Sequence, residues 1–277
     1  MSSSPEFREI VVELDDGGRV RAVQLGQLVY VQGLLPAVAV GAPLSMQLNS
    51  VLERMRLVIV AASSGSDARN ECLDATGGGS DSASRGLDVV ARVTFRMREV
   101  TDRSVLNDVW RTWFPDPQNR PPHKYVPVEV PGGYDVAVDA LAVLGTERRT
   151  LEIAGVRHRD PMSMGALLGN LVFSSRLFAA QTSPRRQFAV LLDQARALMA
   201  DAGGDLDELT QVTVFAPTPE SAATMTQLCH ERWTLAPTPP AVHVLVADLG
   251  GSAAPRMEII GVLGDRSRTA AGVRDGL

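Results

Sequence analysis

Few residues in this chain have the type and spacing for chemistry. The four histidines, His123, His158, His230 and His243, lack the i, i+4 pairing beside an acid that a helix-borne metal site uses, so no metal site is predicted. Cys72 sits in a polar run as an incidental thiol, whereas Cys229 falls on an amphipathic segment that predicts a core position. Gly77-Gly78-Gly79-Ser80 has neither the flanking strand nor the lysine of a phosphate-binding loop. Trp110, Trp113 and Phe114 share one helical segment at spacings that suit packing or a subunit contact better than base stacking. What remains is an acid in an apolar strand, Glu258 within Met257-Glu258-Ile259-Ile260. Burying a carboxylate costs free energy unless it is paired or has work to do, so such a residue needs a reason.

Composition narrows the classes. Of 277 residues, 45% are hydrophobic and 21% charged, the balance of a packed globular protein. The formal charge of −5 offers no footprint for a polyanion, so nucleic acid is not an expected partner. Two cysteines exclude a disulfide framework and fit a reducing, cytoplasmic setting. The opening Met1-Ser2-Ser3-Ser4-Pro5-Glu6-Phe7 reads as no signal peptide, and no run of 18 apolar residues predicts a membrane span.

The elements that must position any site occur twice. Leu25-Gly26-Gln27-Leu28-Val29-Tyr30-Val31 returns as Leu168-Gly169-Asn170-Leu171-Val172-Phe173-Ser174, an offset of 143 (168 − 25). Leu87 to Thr94 returns as Leu206 to Thr213, an offset of 119 (206 − 87), so the first copy carries an insertion of 24 residues. Its place is the Ser-, Gly- and Asp-rich stretch from Ser63 to Gly86, which has no apolar period and reads as a loop. Pro121-Pro122-His123-Lys124 is matched to Pro239-Pro240-Ala241-Val242, and Leu144-Gly145 to Leu263-Gly264. The expected domains are 1–147 and 148–266, parting near Gly145 to Ala154, with a tail over 267–277. Within each copy, alternation predicts strands over Arg8–Leu14, Val20–Leu25 and Val29–Gln32, with Asp15-Asp16-Gly17-Gly18 as a hairpin turn. Helical periods follow over Met46–Ala62 and from Ser183-Pro184 to Gly203-Gly204, then strands over Val89–Phe95 and Leu209–Phe215. Second helices over Ser104–Phe114 and Pro219–Trp233 precede a Pro-Pro turn and two last strands. The unit is β-β-β-α-β-α-β-β: an α+β fold in which two helices pack on one face of a mixed sheet.

Order and spacing of these landmarks resemble the Rid, or YjgF-like, family of enamine/imine deaminases, written twice. Leu25 to Pro36 resembles the family's strand ending in Ser-Gly-Gln-Ile-Pro, and Leu206 to Phe215 the segment leading into its Thr-Val-Phe strand. Both Pro-Pro pairs resemble its Pro-Pro-Ala-Arg turn, and Val138-Asp139-Ala140-Leu141-Ala142 its closing Ile-Glu-Ala-Ile-Ala strand. The resemblance implies a trimeric assembly, here of two-domain chains, with clefts between units, an arginine gripping a substrate carboxylate and a Glu holding the water that attacks an imine carbon. It implies no cofactor. Because an iminium carbon is already electrophilic, the protein need only fix the acid group and orient a water.

Carried over position by position, Asp139 and Glu258 match the family's acid. Each reads either as that acid or as an outward-facing strand carboxylate. The arginine position falls on Lys124 counted from the Pro-Pro pair and on His123 counted back from the following strand. A lysine there is a point charge without the planar fork of arginine, or simply a solvated turn residue. In the second copy Ala241-Val242 stand there, and no cation is expected. Gly33, where the family's backbone approaches its ligand, is matched by Arg176, which reads as an anion clamp or an interface ion pair. Where the family has a tyrosine, the copies carry Arg19 and Met162. The expected function is hydrolysis of an enamine, imine or related carboxylate-bearing metabolite. A biosynthetic enzyme of chorismatase type, also two fused units, and a non-catalytic small-ligand-binding protein are the alternatives.

Overall fold

The computed structural model describes residues 7–13, 18–64, 86–99, 103–179, 183–247 and 252–264. The predicted turn at Asp15-Asp16-Gly17, most of the insertion with Cys72 and the glycine run, and the tail lie outside them. The chain divides into two units, Met1–Arg148 with Asp160–Met162, and Arg149–Arg159 with Ser163–Leu277.

In the first unit, β1 (Phe7–Glu13), β2 (Arg19–Leu25) and β3 (Leu28–Leu34) form an antiparallel meander. Gly26 turns β2 into β3 at φ 59°, a left-handed conformation that glycine adopts without strain. Helix α1 (Leu44–Ser64) follows, so Ser63 and Ser64 belong to the helix and not to the loop expected there. Its buried stripe Leu48, Val51, Leu52, Met55, Val58 and Ile59 packs onto the sheet, each side chain contributing roughly 1.5–3 kcal/mol. Next come β4 (Val90–Met97), α2 (Arg103–Trp113), β5 (His123–Pro127) and β6 (Val136–Val143). The sheet order is β1-β2-β3-β6-β4-β5, with only the β4–β5 pair parallel.

The second unit repeats this plan. β7 (Arg148–Leu151) and β8 (Gly165–Leu168) precede β9 (Leu171–Ser174), with Gly169 turning at φ 61° where Gly26 turns in the first. A two-residue break separates β9 from β10 (Leu177–Phe178), at the place where β3 carries a bulge between Val31 and Leu34. Helix α3 (Pro184–Ala202) starts on Pro184 and stops at Gly203, φ 92°, as its flanking residues predict. Then follow β11 (Leu209–Ala216), α4 (Pro219–Trp233), β12 (Ala241–Val246) and β13 (Arg256–Val262). The order is β12-β11-β13-β9-β8-β7, with β10 on β13; the β11–β12 pair is again parallel, and β13 pairs antiparallel with β11, β9 and β10. Leu144 donates to Gln27 and Leu263 to Asn170, both at 2.8 Å, which locks the two copies to the same internal register. The fold is α+β, two mixed sheets each carrying two helices. Among the described residues no helix is long and apolar enough to cross a membrane.

Candidate functional site

Strand alternation divides each sheet into a face under the helices and an open face. On β4, Val93, Phe95 and Met97 are buried under the helices, so Arg92, Thr94 and Arg96 point to the open face. Thr94 lies opposite Asp139 of β6 on one side and opposite Lys124 of β5 on the other. Neighbouring strands are about 5 Å apart, so Lys124, Thr94 and Asp139 form a row about 10 Å long across three strands. Tyr30 of β3, opposite Leu141, stands on the same face and is 40% exposed. Burial raises its phenol above the ordinary value and the Asp139 charge adds to this, while Arg96 and Arg92 pull the other way.

Asp139 stands at one end of this row, on the central strand β6. Its Oδ1 accepts the Gly33 backbone N–H at 2.7 Å and its Oδ2 accepts Arg96 Nε at 2.8 Å. The N–H can aim there because Gly33 sits in the β3 bulge at φ 64°, where a side chain would be strained. Space above Gly33 is open: an added Cβ would meet nothing within 4 Å. Each carboxylate oxygen keeps a second lone pair that a water can use. Arg96 is half-buried and spends Nε on Asp139, so the planar fork of its terminal nitrogens is left for other partners.

His123 does not join this group. It faces the helices, 1% exposed, with Nε2 3.0 Å from the Tyr125 hydroxyl and its ring edge-on to Trp110 at 4.7 Å. The alternation of β5 separates it from Lys124, and of the two sequence-derived anchor candidates only the lysine shares a face with Asp139.

The second unit arranges the same positions differently. Glu258, opposite Thr213, is 5% exposed and accepts Arg176 Nε at 3.2 Å. Arg176 lies in the break between β9 and β10, at the place of Gly33, and stacks over the Phe215 ring at 4.6 Å. Phe215 in turn occupies the place of Arg96. No residue other than glycine has a positive φ among the described residues, so position 176 pairs through its side chain where position 33 pairs through its backbone. The sequence count that put Ala241-Val242 at the Lys124 position is corrected by the ladder: Thr213 lies opposite His243 just as Thr94 lies opposite Lys124. Past the insertion the offset stays at 119, and an imidazole, not an apolar pair, occupies that place.

Sequence reasoning missed Arg96, Thr94, Tyr30 and His243. Arg92, Thr94 and Arg96 alternate with Val93, Phe95 and Met97, a period-two signal that separates the open face once the helix side is known. Among the described residues no group of three or more His, Cys, Asp or Glu side chains converges to hold a metal.

No family model and no curated protein matches the chain. Solved structures that are similar to it include a member of the YjgF protein family from Neisseria meningitidis, 21% identical over 43% of this chain and 97% of that one, TM-score 0.37. A conserved Rid family protein, YyfA from Yersinia pestis, is 14% identical over 42% of this chain and 99% of its own, TM-score 0.38. E. coli TdcF with bound serine is 21% identical over 42% and 99%, TM-score 0.37. These are structures of the family that the sequence resembles, and each is about as long as one unit of this chain.

Proposed function

We propose that the chain is a Rid-like hydrolase of reactive enamines or imines, or of a related small carboxylate-bearing metabolite, with its working site on the open face of the first sheet. The observation that supports this reading is Asp139, fixed by Gly33 and Arg96 and in line with Thr94 and Lys124. In this scheme Lys124 and the free edge of the Arg96 guanidinium hold the substrate carboxylate, and Asp139 orients a water toward the imine carbon. Water adds across C=N, its oxygen to carbon and its proton to nitrogen. The C–N bond of the resulting carbinolamine then breaks, leaving a carbonyl product and ammonia, and no cofactor enters the balance. The second unit reads as a supporting partner, because His243 stands there at the place of Lys124 and Phe215 at the place of Arg96.

We take the chain to work as a cytoplasmic homo-oligomer, a trimer of two-domain chains. Phe7, Val23 and Leu25 stand exposed on one face of β1 and β2, an apolar stripe that another copy would cover. The deciding experiment generates 2-aminoacrylate in situ and follows pyruvate and ammonia. Faster release than in buffer, reduced at least tenfold in Lys124→Ala and Asp139→Asn, is expected. A rate equal to buffer overturns the reading.

A further inference from the structure

The two units differ on the helix side of their parallel strand pairs. In the first, the space between α2 and β5 is filled by Trp110, His123 and Tyr125, with Trp110 fully buried. Tyr125 completes this cluster by donating its hydroxyl to Asn107 Oδ1 at 3.0 Å. The repeat offset of 119 is held here by the ladders, since Val93 and Phe95 face His123 and Tyr125 as Val212 and Val214 face Val242 and Val244. Trp110, His123, Tyr125 and Asn107 therefore correspond to Cys229, Val242, Val244 and Thr226.

All four of those smaller residues line one cavity of about 510 Å³ between α4 and β12. Its volume falls within the roughly 300–1,000 Å³ range of small-molecule sites. Trp233 also lines it, 4% exposed, with an indole N–H that has no hydrogen-bond partner among the described residues. A buried indole N–H ordinarily has an acceptor. Thr226 spends its hydroxyl proton on the Ala222 carbonyl at 2.9 Å, which leaves its oxygen lone pairs to accept a bond at the rim.

We infer that this cavity is a binding site for a fused aromatic molecule carrying one hydroxyl, whose rings take the place that Trp110 and Tyr125 fill in the first unit. The ligand hydroxyl would donate to Thr226 Oγ1, as Tyr125 donates to Asn107, and an acceptor atom of the ligand would meet the Trp233 N–H. The first unit thus fills with its own side chains the space that the second leaves open, although Phe114 stands there at the place of Trp233.

The test uses the full-length protein labelled with nitrogen-15, 6-hydroxyquinoline as the probe, whose ring nitrogen is the acceptor, and quinoline as the probe lacking the hydroxyl. Three tryptophans give three indole N–H signals, and Trp233→Phe assigns the one that matters. A saturable shift of that signal alone is expected, with at least about fivefold weaker binding of quinoline, the loss of roughly one hydrogen bond. Refilling the cavity with Val244→Tyr should abolish the shift. Should that variant fail to fold, Cys229→Phe serves the same purpose from the helix side. No saturable shift at millimolar probe, or a shift that persists in a folded refilled variant, overturns the proposal.

Discussion

Arg96 and Arg176 do one job from two different places in the repeat. Each turns Nε onto the carboxylate that closes its sheet, Asp139 at 2.8 Å and Glu258 at 3.2 Å, yet Arg96 comes from β4 and Arg176 from the bulge between β9 and β10. Where one unit has arginine the other has Phe215, and where one has arginine in the bulge the other has Gly33. The pair has been kept while its cation moved.

That exchange predicts a rescue. Arg176→Gly alone leaves Glu258 buried without its cation, a loss of about 3 kcal/mol. Adding Phe215→Arg rebuilds the arrangement of the first unit and should recover at least half of that loss in urea unfolding. Two substitutions whose costs merely add would show that the positions do not substitute for one another.

The two ion pairs should differ in strength. Arg96 and Asp139 have side chains 34% and 12% exposed, so solvent screens them, and a double-mutant cycle should give about 1 kcal/mol or less. Arg176 and Glu258 are less exposed, and their coupling should exceed it, about 2 kcal/mol. The reverse order would contradict the burial argument.

Arg148 closes the first unit and should be costly to remove. Its terminal nitrogens donate to the carbonyls of Leu87, Val90 and Asn119 at 2.6–2.8 Å, and burial pulls its guanidinium down to about 10, opposed by Asp88. It is still charged at neutral pH. Arg148→Met keeps the bulk and deletes these donors, so chemical denaturation should show a loss of about 2–4 kcal/mol, mostly from the orphaned carbonyls.

Tyr125 makes the protein sensitive to alkali. Burial, aided by the charge of Asp160, raises its phenol well above the ordinary value of 10.0, with Arg103 opposing. Above that pH the unfolded chain loses this proton while the folded one keeps it, so stability falls as pH rises. Urea midpoints measured from pH 8 to 11 should decline less steeply for Tyr125→Phe than for the parent. Parallel curves would remove Tyr125 as the cause.

The Cys229 thiol is pushed up to about 12 by burial, so very little thiolate exists at pH 8. Alkylation of a Cys72→Ser variant at that pH should run about a thousandfold slower than that of free cysteine and rise tenfold per pH unit. A rate near that of free cysteine would mean that the thiol is open to solvent.

The amino-acid order by itself determined the duplication, the element sequence and most boundaries. Leu25 to Val31 and its echo from Leu168, the Gly26 and Gly169 turns, and the Ser183-Pro184 start and Gly203 stop of one helix are local signals, written within a few residues. Asp139 and Glu258 were also legible, since an acid among apolar strand neighbours stands out. The tertiary structure decided which cations meet those acids. His123 and Lys124 are adjacent in sequence, yet pleating sends one into the aromatic core and the other to the open face. A one-residue difference in strand register exchanges faces, so counting from the Pro-Pro pairs put Ala241-Val242 where the ladder puts His243. The Arg96-to-Phe215 and Gly33-to-Arg176 exchange, and the cavity where aromatic rings gave way to Cys229, Val242 and Val244, depend on neighbours brought together across strands and helices. Such contacts join residues far apart in the chain, and no local pattern encodes them.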